Sequence, residues 1–341
     1  MKRFQSTEET FADQWIIKGP RKSFMDKVDE VINWKPIEKL LKRNTKRLKD
    51  AIGADPYPIL AMFKSILAQR WFGLSDRDLE DALYNDLRLI RFTRFSVSSE
   101  KPDHTTICRF RNALLVKDLY KKILAELNRQ LEKAGVLVKE GAIIDATLVE
   151  SSRRPRKYIE EITEDRKEPD EDEGTVYRVR YSEDTEARWV KKANKAHYGY
   201  KANVATDAEY GFVLGGHVTG ANESDMKQLE RILDDQNFDE GTLVACDKGY
   251  ASKENREFLK ARKLKDAIMK KAARNRPLNE DDILFNKRIS RFRYKVERCF
   301  GTLKRQYGFH RARYLGRLKT ELELYLNAFA FNLKKFVLLV S

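Results

Sequence analysis

Near Gly135 the hydrophobic period of this 341-residue chain changes, and that change limits the possible folds more than any other feature. Before it, apolar residues recur at helical spacing. Ile59, Met62, Phe63, Ile66 and Leu67 fall together on a helix over 59–72. Ser75-Asp76-Arg77-Asp78-Leu79 reads as a helix start capped by Ser75, and Pro102-Asp103-His104-Thr105-Thr106 opens another that runs through Leu114. After Gly135 the pattern turns to strands. Val136 to Val149 is rich in β-branched residues, with Ala142-Ile143-Ile144-Asp145-Ala146-Thr147 as its centre. Residues 198–205 and 212–218 form a hairpin around the turn at 207–211. Asp225 to Leu233 is helical, and Thr242 to Asp247 is a buried strand. Ser252 caps a helix to about Arg262, Lys265 to Met269 is a short strand, and the chain is helical from Asp281. The expectation is an α/β fold with a mixed sheet, preceded by an all-helical region. The boundaries are 1–135 for the helical domain and 136–341 for the α/β domain. A charged segment at about 150–195, with nine acids between Glu160 and Glu173 against Arg166 and Lys167, reads as a solvated loop or insertion.

Charge narrows the partners. The net charge is +15, which favours a polyanion. It is concentrated: Lys260 to Lys319 holds twenty Lys and Arg against five acids. The three cysteines, Cys108, Cys246 and Cys299, are far apart and form no CxxC pair. That argues against disulfides and zinc and for a reducing cytosol. Lys2 and Arg3 are followed by Glu8, Glu9 and Asp13, so no signal peptide is expected. The apolar stretch from Leu322 to Val340 is broken by Asn327, Asn332, Lys334 and Lys335. A buried helix is expected there, and no membrane span.

Three acids stand out against this background. Asp145 and Asp247 lie at or near strand ends, where the active crevice of an open α/β sheet forms. Glu297 is isolated in the basic segment. Phosphodiester cleavage and transfer need no protein nucleophile, because two divalent ions about 3.5–4 Å apart can activate the attacking oxygen and stabilise the leaving one. Such ions take carboxylate oxygens. Taken singly, each acid also has an ordinary reading: Asp145 and Asp247 as turn residues, Glu297 as a surface partner of Arg293. On a helix, Arg293, Glu297 and Lys304 share one face, so a glutamate that ligates metal would be flanked by two phosphate-gripping bases. Lys248, beside Asp247, is either another phosphate contact or solvated. In the N-terminal region the helices after Ser75 and Asp103 fit a helix-turn-helix with Arg109 and Arg111 near DNA. An ordinary helical bundle with solvated arginines fits the same residues.

Together these blocks resemble the DDE transposases of bacterial insertion sequences, in particular the insertion-sequence-five group. Ile144-Asp145-Ala146-Thr147-Leu148-Val149 is similar to that family's first catalytic strand, and Ala245-Cys246-Asp247-Lys248-Gly249-Tyr250-Ala251-Ser252 to its second Asp block. Arg293 to Lys304 is similar to the third block, in which an Arg precedes the Glu by four and a Lys follows by seven. The family's Tyr three residues before that Arg is Ser290 here. His197-Tyr198-Gly199-Tyr200-Lys201, Asn222-Glu223-Ser224-Asp225, Asp103-His104-Thr105-Thr106 and Arg109-Phe110-Arg111 also resemble family blocks. The likeness runs from about residue 45. It implies an RNase H-like catalytic domain, with Asp145, Asp247 and Glu297 as catalytic metal ligands. The ions would be Mg2+ or Mn2+, two of them. It further implies DNA contacts from Arg109, Arg111, Lys248, Arg293 and Lys304. The implied partners are double-stranded terminal inverted repeats and target DNA, bound by a homo-oligomer of at least two chains. The setting would be the bacterial cytoplasm, at the nucleoid.

Two other readings compete. One is a non-catalytic DNA-binding protein descended from a transposase, against which the three intact acids argue. The other is a metal-dependent nuclease that does not join strands. His104, His197, His217 and His310 form no paired-His metal motif, and no Arg-His-Arg-Tyr set points to a tyrosine recombinase.

Overall fold

The computed structural model describes residues 22–44, 56–138, 140–155, 158–162, 176–180, 183–236, 238–272 and 277–340. Helices α1 (Phe24–Val31), α2 (Trp34–Asn44), α3 (Ile59–Phe72), α4 (Asp76–Asn85), α5 (Leu87–Thr93), α6 (His104–Ala113) and α7 (Leu119–Lys133) precede the sheet. Helix α3 is their hub. It is buried on nearly every side, including Lys64, Gln69 and Arg70, and it ends where Gly73 turns left-handed at φ 67°. Ser75 then opens α4 with a capping box completed by Asp78. Asp103 caps α6 by accepting the Thr106 N–H at 2.7 Å. On α7, Leu119, Tyr120, Ile123, Leu124, Leu127 and Leu131 form the buried stripe.

The helix-turn-helix expectation needs correcting. Helices α4 and α6 do pack together, but α5 and the connection 94–103 separate them. A helix-turn-helix joins its helices by a turn of about 3–4 residues.

Five strands of the sheet follow the expectation: β1 (Gly141–Glu150), β5 (Lys195–Asp207), β6 (Val213–Gly220), β7 (Leu243–Cys246) and β8 (Lys265–Ile268). The sixth, β4 (Arg188–Lys192), comes from the charged segment, where no strand is expected. Strand β5 runs antiparallel to β1 from Gly199 to Asp207. On its other side it takes β4 along 195–199 and β6 along 200–206, both antiparallel. Strand β7 adds parallel to β1, and β8 parallel to β7. The order β6-β5-β1-β7-β8, three antiparallel strands followed by two parallel ones, is RNase H-like. Gly199 lets β5 cross close to β1: a Cβ there would lie 2.2 Å from the Val149 carbonyl oxygen.

The charged segment is not wholly loop. It contains an antiparallel pair, β2 (Tyr158–Ile162) with β3 (Val176–Arg180), and then β4 on the main sheet. Most of its acidic run lies outside the described residues.

The last elements are α8 (Leu229–Asp234), α9 (Lys253–Ala261), α10 (Glu280–Gln306) and α11 (Arg317–Val340). The apolar C-terminal stretch is indeed the buried helix α11, which packs on β6, α7, α3 and α1. No described helix is long and apolar enough to cross a membrane. Residue 135 marks where helix gives way to sheet, but one hydrophobic core runs across it, from Ile37 and Leu67 through Leu127 to Ile144, Val218 and Phe329. Polar ties reinforce the join. Arg70 reaches Glu323 on α11 and donates to the Tyr314 hydroxyl at 2.7 Å, and the Tyr120 hydroxyl donates to Glu321 at 2.8 Å.

Candidate active site

The parallel ladder between β1 and β7 ends with Ile144 opposite Cys246. One residue further, Asp145 and Asp247 therefore stand side by side. Strand β7 stops there, and Asp247 turns out of it to cap the 3-10 turn Lys248–Tyr250 through its own Oδ1 and the Lys248 N–H. Asp145 remains inside β1, its Oδ1 accepting the Ala146 N–H at 2.8 Å. The Asp145 side chain is 16 % exposed and that of Asp247 is 37 %, so Asp247 is the more open carboxylate. Burial pushes the Asp145 carboxyl above its ordinary pKa, and the charge of Arg293 opposes this.

Helix α10 crosses this pair and lays Arg293 against it. Arg293 Nη2 donates to Asp145 Oδ2 at 2.7 Å, and Nη1 is 3.8 Å from Asp247 Oδ1 and 3.8 Å from the sulfur of Met269 just beyond β8. The Arg293 Nε is buried without a partner. Burial disfavours the guanidinium charge, but Asp145, Asp247 and Glu297 together raise its pKa. Two carboxylates on adjacent strands thus share one cationic group. Their hard oxygens suit a divalent ion, and the guanidinium is a stand-in for the charge that such an ion would bring.

The remaining residues of the expected constellation are arranged around this pair. Glu297 is exposed, one turn along α10 from Arg293. Among the described residues no three of His, Cys, Asp or Glu stand close enough to share a metal ion, so the structure brings together two of the three acids. Lys248 is exposed beside Asp247. Lys304 is half-buried toward the far end of β1: burial and Lys192 lower its pKa and Glu150 raises it. At about 1.5 Å per residue it lies roughly 16 Å along the helix from Arg293.

Arg109 and Arg111 part company. Arg109 is exposed on α6. Arg111 is 2 % exposed and grips Asp76 of α4 with both Nη atoms, at 2.7 and 2.6 Å, while its guanidinium lies 4.4 Å from the Tyr314 ring centroid. Its donors serve the fold and are not free for a base edge, so the expectation that it lies near DNA is corrected.

Two residues that sequence reasoning did not single out as functional complete the surroundings. Lys201 of β5 pairs with Asp225 at 2.8 Å and donates to the Glu223 carbonyl at 2.6 Å. This holds the 223–225 turn beside Gly249, whose Cβ position is 3.8 Å from Asp225 Oδ2. Met269 closes the other flank. The alternating pattern of β5 could have revealed Lys201, an inward-pointing charge on a buried strand; nothing in the sequence marks Met269. Glu223 itself accepts from the Gly220 N–H at 3.1 Å and from Gln228 at 3.3 Å.

Residues 137–333 match the family model described as the transposase DDE domain. This chain belongs to the DDE transposases. A second family model, described as a transposase domain (DUF772), matches residues 14–113 of the transposase. The transposase for insertion sequence element IS1106 of Neisseria meningitidis serogroup B is 38% identical over 230 residues, which cover 67% of this chain and 76% of that relative. A cryo-EM structure of the piggyBac transposase synaptic complex with hairpin DNA is 13% identical. It aligns with a TM-score of 0.44 over 91% of this chain and 73% of that one. In this transposase Asp145, Asp247, Arg293, Glu297 and Lys304 all fall within the DDE match, and Arg109 and Arg111 within the other.

Proposed function

We propose that this transposase, of the insertion-sequence-five group, binds the ends of its own element and cuts and joins DNA at the Asp145–Asp247 pair. The carrying observation is the convergence of those two carboxylates on one cation. Asp145, Asp247 and, after a movement of its exposed side chain, Glu297 would hold two Mg2+ or Mn2+ ions. When bound, such ions activate the attacking oxygen and stabilise the leaving one.

The chain's own residues position the DNA. Arg293 leaves the carboxylates and takes a phosphate, Lys248 grips the backbone beside Asp247, and Lys304 grips it further along. Arg109 meets the element's ends from the exposed face of α6. Transposition joins two ends, so the working form is a homo-oligomer of at least two chains on duplex DNA, acting in the cytoplasm at the nucleoid.

The test is Asp247→Asn, which removes a ligand charge and little volume. It should bind end DNA normally and fail to cut it in Mg2+, while the natural protein cuts in Mg2+ and not in EDTA. Full cutting by Asp247→Asn, or by the natural protein in EDTA, refutes the reading. A joining assay with donor and target DNA separates a transposase from a simple nuclease.

A further inference from the structure

Behind the catalytic face of α10 lies a cavity of about 440 Å³, between α10, α11 and the turn that joins β5 to β6. Arg293 and Glu297 are about 40° apart around the helix. Lys295, Arg298 and Thr302 lie roughly 140–200° from Arg293, on the opposite side. The cavity is therefore separate from the carboxylate pair.

Its lining combines two chemistries. Lys295 and Arg298 of α10 and Lys334 and Lys335 of α11 supply four cations, against the single acid Glu209. Tyr294, Tyr307 and Phe331 supply aromatic surface. The cations are not equivalent. Lys295 donates to the Ala208 carbonyl and Lys335 to the Tyr210 carbonyl, which pins the β5–β6 turn. Arg298 and Lys334 are exposed and make no side-chain hydrogen bond or ion pair with any described residue. Burial lowers the pKa of Lys335; Asp207 and Cys299 oppose this, and the like-charged Arg298 and Lys295 lower it further. The Tyr307 hydroxyl is buried with no partner, in a residue only 9 % exposed. An unpaired buried hydroxyl is costly unless something supplies a partner.

We infer that this cavity binds one nucleotide of a single DNA strand, its phosphate between Arg298 and Lys334 and its base against Tyr294 and Phe331. The inference rests on the proposed role in cutting DNA and deepens it, by giving a displaced or cut strand a holding site behind the catalytic helix. The volume admits one nucleotide and not a stacked duplex. Cations that track phosphates, interleaved with aromatic rings, are the sequence-tolerant way of holding single strands. A duplex would offer its phosphates without its base faces and so would leave the aromatic lining unused.

The experiment uses the full chain in EDTA, so that nothing is cut. A labelled single-stranded oligonucleotide is titrated by fluorescence anisotropy while unlabelled duplex end DNA saturates the catalytic face. The natural protein should bind the strand. Arg298→Ala with Lys334→Ala should weaken that binding by about ten-fold or more. Tyr294→Ala should weaken it by several-fold while Tyr294→Phe restores it, because stacking needs the ring and not the hydroxyl. Lys42→Ala, at an exposed lysine of α2 that does not line the cavity, should leave it unchanged. The inference is overturned if the double variant binds the strand normally, or if Tyr294→Ala has no effect. It is also overturned if an acidic peptide competes as well as the oligonucleotide. Cutting of duplex ends in Mg2+ by the same variants is scored separately. A variant that cuts and no longer holds the strand supports the cavity, whereas failure of the Asp247→Asn test overturns the catalytic reading and leaves the anisotropy result standing.

Discussion

Arg109→Ala and Arg111→Ala should have opposite consequences, although the two arginines are two residues apart. Arg111 is buried and bonded to Asp76 through both Nη atoms. Removing one partner of a buried ion pair costs about 3–5 kcal/mol. Asp76 is 25% exposed and can rehydrate once Arg111 is gone, so the lower end, about 3 kcal/mol, applies here. Unfolding entropy of about 2.1 cal/mol/K per residue over 341 residues is about 0.7 kcal/mol/K, so the melting temperature should fall by about 4 °C. The core that spans helices and sheet makes a single cooperative transition the expectation. Scanning calorimetry measures the shift, and a gel-shift assay on end DNA measures binding. Arg111→Ala should melt early and still prefer the ends at low temperature. Arg109→Ala should keep its melting temperature and lose preference by about 1–3 kcal/mol. Unchanged melting of Arg111→Ala together with selective loss of end binding would refute the argument from burial.

Three further outcomes follow from particular contacts. Asp103→Ala removes the cap of α6 and should cost about 1 kcal/mol at neutral pH. Hydrogen bonds from Thr106 and Thr105 hold the Asp103 carboxyl down at about 2, so its contribution is present above the unfolded value of about 3.9 and is lost as pH falls toward 2; the gap in melting temperature between the two proteins should close over that window. Gly199→Ala puts a Cβ within 2.2 Å of the Val149 carbonyl and 2.7 Å of the Ser151 nitrogen, both rigid backbone, and should cost about 1–3 kcal/mol or more, read by urea unfolding. Lys304→Ala should weaken DNA binding and lower the slope of log affinity against log salt by about one unit without changing the preferred sequence, read by salt titration.

The sheet was legible because its strands carry their own signature. The β-branched run at Ala142–Thr147 and the apolar Leu243–Cys246 read as buried strands without knowledge of their neighbours. The two aspartates were legible for the same reason, since Asp145 sits inside the first run and Asp247 directly follows the second. Other features depend on contacts between distant parts of the chain. Arg111 looks like any helix-surface arginine until Asp76, 35 residues earlier, and Tyr314, from the connection before α11, close over it. The join between α3 and α11 through Arg70 and Glu323 spans 253 residues, and no local pattern announces it. Charge misled in the 150–195 segment, where high polarity reads as loop while backbone pairing still forms β2, β3 and β4. Helical spacing grouped Glu297 with Arg293 and Lys304 correctly, but spacing along one helix cannot say whether its carboxylate reaches the other two.

That last distance is the central question, and one measurement addresses it directly. Crystals of the transposase with duplex end DNA and Mn2+, measured for anomalous scattering at the manganese edge, would locate the ions. Manganese should lie between Asp145 and Asp247, Glu297 should turn in as a further ligand, and Arg293 should be displaced from the 2.7 Å contact with Asp145 that it makes here. Manganese bound elsewhere, or Arg293 still seated between the two aspartates with DNA in place, would contradict this arrangement.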